Sequence, residues 1–145
     1  MLKFYRIIRY FFYLSFSKKV LLFYCILFIS FTTFFYSFLS FDRIVRITSY
    51  SSKILLRKKV SKFRVEEIYN FHSKVANFFF SLSCLPLCIS AKLILSIYGY
   101  EVKIQSGIKV HEKKVKGHAW LVFNDKQLLD QNENIHEYQK SILIK

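Results

Sequence analysis

The stretch from Ser83 to Gly99 constrains the fold of this chain more than any other. Ser83-Cys84-Leu85-Pro86 opens it, with Ser in a preferred N-cap position and Pro in the first turn, where no intrahelical N–H is needed. Gly99 closes it with a residue free to adopt the left-handed C-cap conformation. Between these ends Leu87, Ala91, Ile94 and Tyr98 recur at i, i+4, i+7 and i+11, and Leu93, Leu95 and Ile97 widen the stripe. The pattern predicts a buried helix. It also places a thiol, Cys84, at that helix's first turn.

The residues after this helix switch from a period of 3.6 to a period of two. Tyr100 to Ile104 alternates and continues, past a possible bulge at Gly107, through Ile108 and Val110. His111-Glu112-Lys113-Lys114 reads as a charged turn. His118–Phe123 and Gln127–Gln131 read as two strands around a three-residue loop, Asn124-Asp125-Lys126. Ile142, Leu143 and Ile144 offer a last strand. Upstream, Val65, Ile68, Tyr69, Phe71, Val75, Ala76 and Phe79 predict a helix over 65–80, with residues 77–83 as its exit loop. The layout is α+β: helices, then a nucleophile-bearing helix feeding an antiparallel sheet.

A length of 145 residues allows one domain and an extension, and an apolar fraction of 53% excludes a disordered chain. The net charge of +14 is unevenly spread. Residues 1–62 hold twelve Lys and Arg against Asp42 alone, whereas the rest of the chain holds eleven bases and eight acids. We therefore divide the chain into a basic hydrophobic helical arm, 1–62, and a domain, 63–145. Within the arm, residues 2–16 fit a basic amphipathic helix. Val20 to Phe41 has no charge and is long enough to cross about 30 Å of hydrocarbon. Against a crossing, it holds Ser30, Thr32, Thr33, Ser37 and Ser40, is richer in aromatics than in Leu, and is basic at both ends. A membrane-associated helix and a buried or partner-facing helix both remain open, and the arm can equally lie on a membrane surface. Residues 42–62 read as polar and basic. A nucleic-acid role has only bases and aromatics behind it and no recognition motif, so no nucleic-acid partner is expected.

Three cysteines, Cys25, Cys84 and Cys88, form neither a metal-ligand spacing nor a complete disulfide framework, which points to a reducing, cytoplasmic compartment without metal or other cofactor. Cys25 and Cys88 read as small buried hydrophobes, and His72, His111 and His136 as surface or capping residues. Cys84 is different: unsatisfied N–H groups and the positive end of a helix dipole lower the pKa of a thiol placed beside them. Such a nucleophile needs a base held by a third group. His118 on a strand and Asp130 one hairpin later fit those roles. His118, Trp120 and Val122 share a strand face, and Asp130 joins them only if paired positions sum to an even number, as with Trp120 opposite Asp130 around a three-residue loop. A two-residue loop turns Asp130 away. The Cys84 backbone N–H is a natural oxyanion donor, with a second donor unassigned.

Ser83-Cys84-Leu85-Pro86, the apolar helix ending Tyr98-Gly99-Tyr100-Glu101-Val102-Lys103-Ile104, the Gly107-Ile108 step, Gly117-His118-Ala119-Trp120-Leu121-Val122 and Asp130 together resemble the transglutaminase-like cysteine proteases of lasso peptide biosynthesis. The motif-bearing likeness covers residues 78–131. The arm is similar in kind, ending in a step like Phe41-Asp42-Arg43. The resemblance implies a papain-like arrangement with Cys84 as nucleophile, His118 as base and Asp130 as orienting acid. It implies hydrolysis of one peptide bond in a ribosomally made precursor, which removes the leader before a separate ATP-dependent macrolactam synthetase cyclises the core. Leu87 and Cys88 depart from relatives that carry a polar residue after Cys-Leu-Pro. The chain is also too short for the winged-helix leader-recognition domain fused in some relatives, which implies a separate recognition protein. The alternative expectation is a non-enzymatic, membrane-associated subunit of a peptide-biosynthesis complex.

Overall fold

The computed structural model describes residues 13–56, 62–80, 82–111, 114–128 and 138–144. Among these residues four helices, α1 (Phe16–Phe38), α2 (Phe41–Leu55), α3 (Val65–Phe79) and α4 (Cys84–Ile97), precede four strands, β1 (Lys103–His111), β2 (Lys114–Phe123), β3 (Lys126–Leu128) and β4 (Gln139–Ile144). The strands form one antiparallel sheet in the order β3-β2-β1-β4.

Helix α4 is the centre of the molecule, and every residue from Cys88 to Ile97 is buried. Its end is a Schellman closure: Gly99 takes φ 87°, its N–H donates to Ser96 O at 3.0 Å, and the Tyr100 N–H donates to Leu95 O at 2.9 Å. At the other end Ser83 has the extended backbone of an N-cap, but its hydroxyl makes no capping bond. One sheet face covers α4 through the row Ile104–Leu121–Leu128, joined by strand pairing, with Val102 and Ala119 beside it. Helix α3 contributes Ile68, Tyr69, Val75 and Ala76 to the same core. Its start is set locally, since Glu67 reaches back to accept the Arg64 N–H at 2.9 Å.

The hydrophobic core does not stop at residue 62. Leu21, Cys25 and Ile29 of α1 and Ile44 of α2 belong to the cluster that contains α4. The uncharged stretch is thus a core helix along one stripe, Leu21, Cys25, Ile29 and Thr32. Its other side is exposed. The polar and basic stretch after residue 42 lies in α2. Ile44, Thr48 and Ser52 are buried among its residues whose side chains are described.

In the sheet, β4 includes the expected Ile142–Ile144 strand, and the β1–β4 register shifts between Ser106 and Gly107, where a bulge was expected. The β2–β3 loop differs from expectation. Phe123 pairs with Lys126, so the turn has two residues, Asn124 and Asp125, at φ 48° and 59°. Both are residues that tolerate the left-handed region, which a two-residue turn of this kind requires at each position.

His72 also departs from the surface role expected of it. It is fully buried on α3, where its Nε2 lies 2.9 Å from Ser90 Oγ of α4. With Ser90 donating its one proton to Pro86 O at 2.9 Å or Leu87 O at 3.1 Å, the Nε2–H tautomer of His72 is the donor in their bond. Burial pushes the imidazole pKa from 6.5 down to about 3. The unfolded chain therefore binds a proton below pH 6.5 that the folded chain excludes, and stability falls as pH falls. From pH 6.5 down to about 5, above the main carboxylate range, the His72 contribution to the slope should rise from about 0.7 toward about 1.4 kcal/mol per pH unit. His72→Gln, which keeps a donor toward Ser90, should flatten that slope in urea unfolding measured at each pH.

Candidate active site

Cys84 is the first residue of α4 and is half-buried. A hydrogen bond from His118 is the largest influence on its thiol and holds the pKa below the ordinary 9.0. Burial opposes this. The backbone N–H of Ala119, the charge of His118 and the backbone N–H of Leu85 all act in the same direction as the His118 bond. Three donors from two elements thus converge on one sulfur, and the thiolate is the form they favour. The Ser83 hydroxyl leaves the first-turn amides alone, so the Leu85 N–H is available to the sulfur. Pro86 has no N–H, and the Cys84 N–H has no intrahelical acceptor by its place in the first turn.

Ala119 is where α4 meets the sheet. Its N–H turns to Cys84, while its carbonyl accepts the Cys88 thiol at 3.3 Å. Cys84 and Cys88 are one helical turn apart, so they share a helix face and together engage both backbone groups of a single strand residue. Leu121 and Phe123, two and four positions further along β2, use the corresponding edge to pair with Leu128 and Lys126 of β3. At Ala119 the two cysteines of the helix engage that edge. Cys88 is thereby buried as expected, but as part of the joint between nucleophile helix and base strand. Its thiol is raised by burial and by the neighbouring Cys84.

His118 and Trp120 lie on one face of β2. Their rings stack at 6.0 Å and 19°, and Tyr138 approaches both, at 5.6 Å from His118 and 6.4 Å from Trp120. The imidazole is held against two aromatic rings, which restricts its rotation. Trp120 is 2% exposed, and its indole N–H has no hydrogen-bond partner among the described residues. Trp120→Ala should cost about 3–5 kcal/mol of stability through the cavity it leaves, read as a lowered urea midpoint.

Of the three residues expected to act together, the fold joins Cys84 and His118. Asp130 lies outside the described residues, as does His136. The register condition set for Asp130 presumes that β2–β3 pairing continues to position 130. The two-residue turn pairs Phe123 with Lys126 and Leu121 with Leu128, so paired positions sum to an odd number, the register that, if continued, turns Asp130 away from the His118 face. Four participants were not singled out from the sequence: the Leu85 and Ala119 amides, Trp120 as the stacking partner of His118, and Tyr138. The His-Ala-Trp triplet carried a signal for the ring stack, since residues two apart on a strand share a face. Tyr138 sits in a tail without pattern. A cavity of about 450 Å³, lined by Glu66, Tyr69, Asn70, Phe123, Lys126 and Gln127 among others, opens at the turn end of β2, away from His118, and is a separate feature. Among the described residues no group of three or more His, Cys, Asp or Glu is placed to hold a metal ion.

A thiol poised by an imidazole at a helix start, with the imidazole on an antiparallel strand, is the layout of papain-like nucleophilic catalysis. The model of the transglutaminase-like superfamily matches residues 32–142. The chain belongs to the transglutaminase-like superfamily. The match starts within α1 and runs into β4, so this transglutaminase-like domain includes α2, α3 and α4 as well as the sheet. Cys84, His118 and Asp130 all fall inside it. The superfamily includes cysteine peptidases. No curated protein and no solved structure matches the chain.

Proposed function

We propose that this transglutaminase-like protein is the leader peptidase of a lasso peptide pathway, acting in the cytoplasm on a ribosomally synthesised precursor. The observation that carries the reading is the His118 hydrogen bond to the Cys84 thiol at the start of α4. In the first half-reaction Cys84 Sγ attacks the scissile carbonyl, its proton having passed to His118. The tetrahedral oxyanion forms beside the Cys84 N–H. His118 then gives its proton to the departing amine, which frees the core peptide's N-terminus and leaves the leader as a thioester. In the second, water gives a proton to His118 and adds to the thioester, and collapse releases the leader carboxylic acid and restores the thiol. Asp130 orients the imidazole. The freed amine passes to a separate macrolactam synthetase, and a separate recognition protein presents the leader.

Reconstitution with a candidate precursor and recognition protein tests this. Mass spectrometry should show leader and core as two products whose masses sum to precursor plus one water. Asp130→Ala should slow cleavage by about 10- to 10³-fold, less than loss of His118, because an orienting group acts through the base it holds. Intact precursor in the complete wild-type mixture sinks the reading. The exposed side of α1 favours the second reading, a non-enzymatic membrane-associated subunit; that reading requires full pathway output from protein alkylated at Cys84.

A further inference from the structure

Helix α1 buries one stripe and exposes the rest. Phe16, Phe23, Leu27, Phe34 and Phe38 follow one another at steps of seven, four, seven and four, which sets them in a single line along the helix side opposite Leu21, Cys25, Ile29 and Thr32. These five are 81%, 63%, 47%, 62% and 73% exposed. Thr33 and Ser37 are exposed hydroxyl residues of the same helix, and each donates to its own helix, Thr33 to Ile29 O at 2.8 Å and Ser37 to Thr33 O at 3.1 Å. Such hydroxyls can enter an apolar medium without losing a partner. Helix α2, which also packs on α4, exposes a second line, Arg43, Ile47, Tyr50 and Ile54.

The charge around these lines has one sign. Over residues 13–62 the sequence has Lys18, Lys19, Arg43, Arg46, Lys53, Arg57, Lys58, Lys59 and Lys62 against Asp42, and Lys18, Arg43, Arg46 and Lys53 are exposed. An aromatic line among bases complements an anionic lipid surface. At about 1.5 Å per residue α1 is also long enough to cross a bilayer. Its packing decides against crossing. The stripe that meets α4 and α3 lies in the middle of α1, and α3 exposes Glu66, Glu67, Asn70, Lys74 and Asn77. A crossing α1 would carry those charges and amides into hydrocarbon.

We propose that α1 is an in-plane anchor: it lies in the headgroup–acyl boundary of an anionic bilayer with the Phe16–Phe38 line immersed and the bases of α1 and α2 at the lipid phosphates. This goes beyond the peptidase reading and does not depend on it. The test is flotation of the full chain with phosphatidylcholine vesicles and with phosphatidylcholine–phosphatidylglycerol vesicles. The protein should float with the anionic vesicles and lose most of that partition at high salt. Lys18→Gln and Arg46→Gln should each weaken it about fivefold, the worth of one base near the surface. Phe23→Ser with Phe34→Ser should abolish flotation while far-UV circular dichroism and the urea midpoint stay unchanged, because both side chains are exposed. Alkaline carbonate should release the wild-type protein. Flotation that is equal with neutral vesicles, persists in the double serine variant, or resists carbonate overturns the proposal. So does a double variant that still floats but no longer co-purifies with the synthetase, which would make the line a protein interface.

Discussion

Cys84→Ala is expected to leave precursor uncut, with kcat/KM down by about 10⁴-fold or more, and to leave the fold in place. The size follows from the chemistry: without the sulfur there is no acyl-enzyme, and the remaining donors stabilise only a direct attack by water, which is slower by several orders of magnitude. The fold survives because the change removes one half-buried sulfur, a cost of about 1 kcal/mol or less. Cys88 continues to hold Ala119 O, at 3.3 Å, so helix and strand stay joined. The check is a mass-spectrometric time course of precursor with recognition protein, alongside a urea curve. Cleavage at the wild-type rate by Cys84→Ala protein would end the assignment of the nucleophile.

His118→Ala should be nearly as damaging, lowering kcat by about 10³- to 10⁴-fold, because one imidazole both takes the thiol proton and protonates the leaving amine. It has a second signature that inactivation alone lacks. The His118 bond is the largest influence lowering the Cys84 pKa, so its removal moves thiol titration toward the ordinary range while burial continues to push upward. The pH profile of iodoacetamide alkylation should therefore shift to higher pH in the variant. The other two thiols do not obscure this measurement. Cys25 and Cys88 are buried, burial pushes Cys25 up to about 12, and Cys88 is also pushed up. An unshifted profile would show that His118 does not contact the thiol in solution. Trp120 and Tyr138 lose their ring partner in the same variant, so His118→Gln, which fills more of the space, separates the proton-transfer loss from any packing loss.

The two halves of the site were legible in the sequence to different degrees. Cys84 at a helix start is a local statement: Ser83, Pro86 and Gly99 punctuate the helix, and the apolar spacing between them has the helical period. His118 on a strand is local as well, since alternation from His118 to Phe123 sets its face. Their meeting is a long-range event across more than thirty residues: chemistry and placement made His118 a candidate partner, and likeness to a family singled it out. The two-residue turn was misread because Lys126 looks equally like loop or strand, whereas the left-handed conformations of Asn124 and Asp125 close the turn before it. The stretch that forms α2 reads as polar and basic because Thr48 and Ser52 occupy buried positions that are more often apolar.

What the sequence by itself determined is the set of local elements with strong signals: α4 and its caps, α3, the alternation of β1 and β2, and the identity of a thiol and an imidazole able to work together. These depend on residues within a few positions of one another, where backbone geometry and side-chain spacing leave few options. Only the tertiary structure decided which surfaces meet. It put Ala119 under both Cys84 and Cys88, buried His72 against Ser90, and turned one stripe of α1 into core while leaving the Phe16–Phe38 line outside. Apolar residues surround α1 on every side of its helical wheel, so its sequence period does not distinguish an inner from an outer face. Contact with α3 and α4 does, because only one stripe of a rigid helix fits against two others.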